Sequence, residues 1–245
     1  MSYPQHKNKH MEESLFNAWD SVKYNYKKKD FPKKYVIIFQ RDSERHIKRK
    51  YASKKDKERS TNGPLYIYKN IGFFKMTGIG APHAVTVMEE FIALGGKEFI
   101  IVGTAGGLQD FGIVVCDRAI RDEGTSYHYI AHGKYSYPDK GLTGRLMKIL
   151  DNNDIHYRTG TSWTIDAPYR ETKTEVQRYK KEGVQTVEME ASAMFAVCKL
   201  RNVKIAAAFS VSDLLDKEWQ PSFKKKHVKE GLINLVDAAV KCLSK

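Results

Sequence analysis

Cysteine is scarce in this 245-residue chain. Its three cysteines, Cys116, Cys198 and Cys242, are odd in number and far apart, so the sequence indicates neither a disulfide framework nor a zinc cluster. No apolar run approaches the roughly 18 residues that a membrane-spanning helix needs. The first six residues lack the hydrophobic segment of a signal peptide. These absences lead us to expect a soluble, cytoplasmic protein with no metal site and no membrane partner.

The composition is that of a folded globule. Hydrophobic residues make up 41% of the chain and aromatic residues 11%, which argues against disorder. The length fits one large domain with a substantial core. Because residues 1–33 are polar and basic, we treat them as an N-terminal extension and assign residues 34–245 to a single domain.

The formal net charge is +13, and lysine and arginine crowd into residues 23–34, 45–59 and 224–229. Such patches could follow a nucleic-acid backbone or attract phosphorylated ligands. No nucleic-acid-binding motif accompanies them, however, and solvated surface is the more common reason for a lysine-rich stretch. We therefore expect no nucleic-acid partner and keep a basic nucleic-acid-binding protein only as a last alternative.

Strand and helix patterns alternate along the chain, which predicts an α/β fold with a central mixed or mainly parallel sheet. The predicted strands are 35–39, 65–68, 73–76, 99–102, 113–116, 118–120, 156–161, 186–187 and 205–211. The predicted helices are 11–22, 84–94, 143–151, 175–181, 191–200 and 228–243, with a polar turn at 40–45 leading into another helix and a charged loop at 51–62.

Two carboxylates lie where the predicted strand 186–187 gives way to the small-residue helix 191–200. In open α/β sheets, ligands bind at the carboxyl ends of strands, so Glu188 and Glu190 are candidate site residues. Glu190 alone could equally be a first-turn glutamate that stabilises its own helix.

Two glycine-rich segments, 77–80 and 103–107, each follow a predicted strand. As turns they would let backbone amides approach an anion, and Thr104 would add a hydroxyl donor. Neither has the spacing of a dinucleotide fingerprint or a Walker loop, and each could be a simple tight turn. Asp213 follows the last core strand, where an aspartate is also common as a helix cap.

Taken in order, segments 77–82, 103–107, 187–190 and 211–213 resemble the nucleoside phosphorylase-I family of purine nucleoside phosphorylases, uridine phosphorylases and related nucleosidases. The resemblance covers roughly residues 34–240, and the segment 187–190 is its most specific part. It implies the fold of that family, a single domain in a three-layer-like arrangement with a mixed sheet flanked by helices.

The resemblance also implies roles for individual residues. Glu190 matches the acidic residue that grips the ribose hydroxyls, and Met189 and Glu188 belong to the same ribose site. Asp213 matches the aspartate that gives a proton to N7 of a leaving purine. Asp166 and Arg170 lie on the loop that reads the base in uridine-specific relatives. Those relatives use a glutamine that this loop lacks, so purines are favoured.

On the phosphate side, Thr104 and Gly103 match the phosphate-contacting segment, and Arg45 matches the arginine of the family's G-D-P-x-R motif. The chain departs from this pattern. Arg41 replaces the glycine of the motif, Ser43 replaces its proline, and Ile101 stands where phosphorolytic members carry an arginine. The lost arginine could be compensated by Arg41, or by Arg59 of a neighbouring subunit. His83 could approach phosphate or lie on the surface at the start of a helix.

The expected activity is therefore cleavage of a purine nucleoside, or of uridine, with inorganic phosphate to give free base and ribose 1-phosphate. No metal or organic cofactor is expected, and the resemblance implies a homo-oligomer, either a dimer or a trimer of dimers. His6 or His10 could reach a neighbouring subunit's nucleoside, although a solvated tail is favoured. A nucleosidase that uses water and a non-catalytic nucleoside-binding protein remain alternatives.

Overall fold

The computed structural model describes residues 3–6, 8–26, 30–51, 55–56, 63 and 65–245. Its strands are β1 Lys34–Ile38, β2 Lys55–Asp56, β3 Leu65–Tyr68, β4 Ile71–Lys75, β5 Glu98–Gly107, β6 Ile113–Asp122, β7 Tyr135–Ser136, β8 Arg158–Ile165, β9 Thr186–Glu188, β10 Lys204–Leu215 and β11 Trp219–Pro221. Its α-helices are α1 Ala18–Asn25, α2 Arg41–Lys50, α3 Ala81–Ala93, α4 Lys140–Asp151, α5 Lys173–Lys181, α6 Ala191–Leu200 and α7 Lys226–Leu243.

These strands form one mixed sheet in the order β11-β10-β6-β8-β9-β5-β1-β4-β3-β2, with β7 paired to β6. Strand β10 pairs with β5 as well as with β6. Strands β5, β10, β6, β8 and β9 therefore close into a ring, and β1, β4 and β3 extend from it as an open sheet. The predicted mixed α/β sheet is confirmed.

Helices cover both faces of the open part of the sheet. Ile37 and Ile101 belong to a buried cluster with residues of α3 and α6. Their neighbours Val36 and Ile100 belong to a second cluster with residues of α2, α4 and α7. Because both faces of β1 and β5 are buried, these strands have continuous apolar sequences, which is what made them predictable. The three-layer arrangement follows.

The prediction of a turn at residues 103–107 was wrong, because β5 continues as a strand to Gly107. Gly106 and Gly107 pair with β9 on one side and with β10 on the other. A Cβ at Gly106 would lie 2.6 Å from Leu215 Cδ1, and one at Gly107 would lie 2.6 Å from Val211 Cγ1. The glycines are thus explained by close strand packing where the ring closes.

The polar turn predicted at residues 40–45 was also wrong, since α2 begins at Arg41. The predicted loop 51–62 lies largely outside the described residues, apart from Tyr51 and the short strand β2. Residues predicted as two strands, 113–116 and 118–120, form the single strand β6, with an irregularity in its pairing with β8 between Cys116 and Arg118.

The N-terminal segment contacts the domain where it is described. Helix α1 begins later than predicted, at a capping box formed by Asn17 and Asp20. The Arg201 guanidinium lies 5.2 Å from the Trp19 ring centroid, and Tyr3 Oη lies 2.7 Å from His128 Nε2. The boundary at residue 33 stays a prediction. In the part of the chain that the structure covers, no helix is long and apolar enough to cross a membrane.

Candidate active site

Four neighbouring strands, β4, β1, β5 and β10, run parallel towards the same edge of the sheet. Ile38 of β1 pairs with Lys75 of β4 and Val102 of β5, and Val102 pairs with Ala208 of β10, all in parallel register. The segments that follow these residues therefore lie side by side. Strand β9 runs antiparallel to β5, with Val187 opposite Gly106. This pairing brings the two candidate glutamates to the same edge, where ligands bind in such sheets.

Glu188 is buried, and the protein occupies both of its carboxylate oxygens. Oε2 accepts the backbone N–H groups of Glu190 at 2.8 Å and of Ala191 at 2.7 Å. Oε1 accepts the hydroxyls of Thr164 at 2.5 Å and of Ser162 at 3.2 Å. Burial raises the pKa of Glu188, and these hydrogen bonds oppose the rise. The side chain fixes the start of α6, so these contacts indicate a supporting function; direct ribose contact stays a prediction.

Glu190 is the N-cap residue of α6 and is also buried. Its Oε1 accepts the backbone N–H of Gly80 at 2.6 Å, which ties the β9–α6 junction to the loop after β4. Burial raises the pKa of Glu190 to about 7, with a further rise from the Glu188 charge, while the Gly80 and Met189 amides lower it. Half-buried Met189 lies between the two glutamates in sequence.

The loop after β4 has a conformation that glycine favours. Gly80 has a φ of 93°, in the left-handed region that side chains rarely adopt. His83, in the first turn of α3, has its Nε2 at 3.3 Å from Thr77 Oγ1. His83 therefore braces this loop, and the loop in turn presents the Gly80 amide to Glu190.

Asp213 lies at the end of β10, beside the point where the ring closes. Its Oδ1 accepts the Ser212 hydroxyl at 2.8 Å and its Oδ2 accepts the Trp219 indole N–H at 2.8 Å. A Cβ at Gly106 would lie 3.6 Å from Asp213 Oδ2, so the carboxylate lies over the glycine segment of β5. Asp213 is buried and held in one orientation.

Sequence reasoning missed Glu171, which lies just before α5. Burial, and then the negative charge of Asp213, raise the pKa of Glu171 to about 7. Its side chain makes no hydrogen bond to any other residue in the described part of the chain. The capping box of Thr172 and Glu175 marks the start of α5 and could have located Glu171. Its proximity to Asp213, 42 positions further along the chain, has no local sequence signal.

The predicted phosphate residues lie in the first half of α2 and in the carboxyl-terminal half of β5. Gln40 Nε2 donates to Thr104 Oγ1 at 2.8 Å, which joins the two segments. Among the described residues no side chain caps the start of α2. Arg41 and Arg45 are both exposed, and Arg45 Nη1 lies 3.2 Å from Asp42 Oδ1. The structure thus brings Thr104 and Gly103 to the site but leaves the arginines at its outer surface.

Ile101 lies in the apolar interior of the protein. It is 1% exposed and packs in the cluster shared with α3 and α6. Ile101 lies in β5 two residues before Gly103, which Thr104 follows. An apolar residue there agrees with its surroundings, and the chain lacks the arginine that the family resemblance led us to expect at this position.

The other predicted residues that the structure describes make contacts of their own at the surface. Asp166 and Arg170 are exposed, and Asp166 Oδ2 accepts the Gly124 N–H at 2.8 Å. His6 Nε2 lies 2.7 Å from Glu12 Oε1 at the surface. Arg59 lies outside the described residues. Within the ranges that the structure covers, no cluster of three or more His, Cys, Asp or Glu side chains could hold a metal ion.

This edge of a partly closed mixed sheet, with buried acids at two strand ends, defines the class of the protein. A model of the phosphorylase superfamily matches residues 60–244. The chain therefore belongs to the phosphorylase superfamily, whose purine nucleoside and uridine phosphorylases are among its relatives. The predicted family is confirmed.

Sequence relatives match part of the chain. A guanosine phosphorylase of Halorubrum lacusprofundi is 31% identical over 139 residues, which cover 55% of this chain and 58% of the relative. A uridine phosphorylase of Treponema pallidum is 30% identical over 150 residues, with coverage of 55% and 58%. The chain thus spans 58% of the length of each of these relatives.

Solved structures share the fold over more of the chain. A uridine phosphorylase of Vibrio fischeri superposes with a TM-score of 0.75 at 24% identity, covering 87% of this chain and 92% of its own. An AMP nucleosidase of Bacteroides thetaiotaomicron superposes with a TM-score of 0.74 at 21% identity, covering 93% and 96%. At these identities the likeness shows the fold.

Proposed function

We propose that this protein is an enzyme that cleaves the N-glycosidic bond of a purine nucleoside with inorganic phosphate. In this reaction the C–N bond to the base breaks and a C–O bond to phosphate forms. The base leaves with the electron pair and takes up a proton. The observation that carries the proposal is Glu190, a buried carboxyl held by the Gly80 amide at the sheet edge that Thr104 and Asp213 also share.

Glu190 is suited to stabilise the sugar in the transition state. Its contact with the Gly80 N–H leaves the carboxylate with acceptor capacity for ribose hydroxyls. A ribosyl group with developing positive charge would favour the ionised carboxylate. The attraction between the two would be strong because the site is dry and has a low dielectric constant. Because its pKa is about 7, a modest stabilisation of this kind is enough to ionise Glu190 at neutral pH.

At the base end, we assign proton transfer to the carboxyl pair of Asp213 and Glu171. Asp213 accepts hydrogen bonds at both oxygens, which hold the carboxyl group in one orientation. Glu171 beside it has a pKa of about 7 and holds a proton part of the time. A pair with one proton can give it to the leaving base and accept a hydrogen bond from a ring N–H. This suits purines, which leave poorly as anions.

For the oxyanion we assign the start of α2 together with Gly103 and Thr104. The uncapped first turn of α2 offers backbone N–H groups and the positive end of the helix dipole. Arg41 and Arg45, four residues apart on the same helix, add positive charge from the outer surface. Inorganic phosphate is the co-substrate in this proposal.

Hydrolysis by water is the second candidate, and buried Ile101 is the observation that favours it. With no guanidinium at that position, phosphate binding relies on neutral donors and on exposed arginines. The similar fold of the AMP nucleosidase of Bacteroides thetaiotaomicron supports keeping this candidate.

The test is base release from guanosine, inosine, adenosine and uridine, each with and without phosphate. We expect purine release that requires phosphate, and a fall of about 100-fold in kcat for Asp213→Asn, since general acid catalysis contributes roughly 10²–10⁴. Uridine cleavage that Asp213→Asn leaves unchanged would contradict the purine assignment. Purine release at the same rate without phosphate would establish hydrolysis instead.

A further inference from the structure

Gln40 occupies a position between the two segments of the proposed oxyanion site. It follows β1 and is the N-cap residue of α2, but its side chain makes no capping hydrogen bond. Instead Nε2 donates to Thr104 Oγ1 at 2.8 Å. The other amide atom, Oε1, is buried and has no hydrogen-bond partner among the described residues. The Gln40 side chain is therefore directed at Thr104 and not at the backbone of its own helix.

This contact determines what the Thr104 hydroxyl can do. A threonine hydroxyl has one proton to donate and two lone pairs to accept with, and it normally rotates to suit its surroundings. Here one lone pair is taken by the Gln40 N–H. The proton must then point away from Gln40. Thr104 is half-buried within β5, and its side chain makes no other hydrogen bond in the described part of the chain.

We propose that Gln40 is a positioning residue for the oxyanion, because it holds the Thr104 hydroxyl as a hydrogen-bond donor towards a phosphate oxygen. The inference rests on the proposed function, in which phosphate binds beside Thr104. A hydrogen bond to a charged acceptor is about twice as strong as one between neutral groups. Fixing the donor in advance also avoids the cost of ordering it on binding. Gln40 thereby replaces part of what an arginine at position 101 would supply.

A glutamine is needed here for its N–H. An ionised glutamate would have nearly the same shape but could only accept hydrogen bonds. The Thr104 hydroxyl would then rotate to donate its hydrogen bond to the glutamate and would no longer donate to phosphate. A methionine would fill the space without accepting or donating strongly, which leaves the hydroxyl free to rotate. Gln40→Glu therefore reverses the direction of the hydrogen bond with Thr104, whereas Gln40→Met removes that hydrogen bond.

The experiment is a double-mutant cycle on phosphate binding with Gln40→Met, Thr104→Val and the double variant, and with Gln40→Glu beside it. Phosphate Kd is measured by calorimetry, and phosphate KM and kcat are measured at saturating nucleoside. Thermal unfolding confirms that each variant is folded. Gln109→Met is the matched control, because the Gln109 amide donates to the carbonyls of Lys180 and Val184 away from the site.

We expect Thr104→Val to raise phosphate Kd roughly tenfold or more, as the loss of a hydrogen bond to a charged group does. Gln40→Met should raise the phosphate Kd about fivefold, and Gln40→Glu should raise it further. In both variants kcat should change less than the phosphate KM. In the Thr104→Val background, Gln40→Met should change Kd by less than about twofold, because coupled residues are not additive. Gln109→Met should change none of these values.

Two results would overturn the inference. One is a Kd for phosphate that Gln40→Met leaves unchanged, or raises equally with and without the Thr104 hydroxyl. The other is a wild-type chain that binds no phosphate. A chain that binds phosphate yet releases base without needing it overturns only the proposed function, because the binding cycle still reports on Gln40.

Discussion

Two strand-to-helix junctions form what we propose to be the sugar end and the anion end of the site, and they differ in how their helices begin. At the sugar end, β9 leads into α6, and Glu188 accepts the first amides of that helix. At the anion end, β1 leads into α2, whose start no side chain in the described ranges caps. Both helices have ten residues, so the difference lies in what occupies their N-termini.

The comparison shows how the same local geometry serves structure in one place and binding in another. A helix start needs an acceptor for its orphan N–H groups. At α6 the protein supplies that acceptor itself, and the start of α6 then becomes a rigid support for Glu190. At α2 no side chain in the described ranges accepts these N–H groups, and we propose that an external anion does so. The sugar end should therefore be sensitive to single substitutions and the anion end more tolerant.

The largest effect is expected at Glu190. Glu190→Gln keeps an acceptor for the Gly80 N–H but removes the charge that faces the sugar. We expect kcat for base release to fall about 100-fold to 1000-fold, the range for loss of one electrostatic contact in a transition state. Thermal unfolding should show an unchanged or higher Tm, because a buried ionisable group is gone. A kcat within threefold of wild type would remove Glu190 from the chemistry.

Glu188→Gln should mainly reduce stability. All four groups that contact the carboxylate are donors to it, so an amide NH₂ would oppose at least one of them. We expect a loss of about 1–3 kcal/mol in the free energy of unfolding, as for an unsatisfied buried group. Tm should fall by about 2–4 °C per kcal/mol. Glu13→Gln, at an exposed glutamate, is the control. Equal Tm values for the two variants would show that Glu188 does not support α6.

Glu171→Gln should change stability in a pH-dependent way. The fold raises the pKa of Glu171 from 4.5 to about 7, so the folded chain binds this proton more tightly than the unfolded chain. Its contribution therefore favours folding at low pH and is lost as pH rises from 4.5 to 7. The variant should match wild type in Tm at pH 4 and exceed it at pH 8. A Tm difference that does not vary with pH would show that the fold does not raise the pKa of Glu171.

The smallest effect is expected at Arg45. Its side chain is 73% exposed and paired with Asp42, and such an exposed ion pair contributes less than about 1 kcal/mol to stability. An equally exposed interaction between the arginine and phosphate should be weak for the same reason. Arg45→Gln and Arg41→Gln should each raise phosphate KM about threefold at low salt, and less at higher ionic strength as screening increases. Arg49→Gln, in the last turn of α2, is the control. A rise as large as that of Thr104→Val would mean that Arg45 contacts phosphate directly.

Sequence reasoning located the β9–α6 junction well, because its signals are local. The β-branched residues of β9, the small residues of α6 and the two glutamates between them form one short segment. The boundaries of α6 were predicted correctly, as was the continuous apolar sequence of β1 apart from its ends. The segment alone could not show that Glu188 and Glu190 make different contacts. Glu188 accepts hydrogen bonds from Ser162 and Thr164, and Glu190 accepts one from Gly80, and all three partners are distant in sequence.

What the sequence did not reveal depends on contacts between distant segments. Gly106 and Gly107 resemble a turn in sequence, yet they form a strand because β9 and β10 pack against them. Gln40 looked like the start of a polar turn, and its contact with Thr104 follows from the pairing of β1 with β5. Glu171 became a candidate only once the fold placed it beside Asp213.

The most direct test of the account is the identity of the sugar product. Wild-type enzyme would be incubated with a purine nucleoside and inorganic phosphate, and the reaction followed by phosphorus NMR alongside base release. The account predicts that ribose 1-phosphate appears in equal amount to the free base and that inorganic phosphate falls to match. Free ribose in equal amount to the base, with inorganic phosphate unchanged, would contradict it.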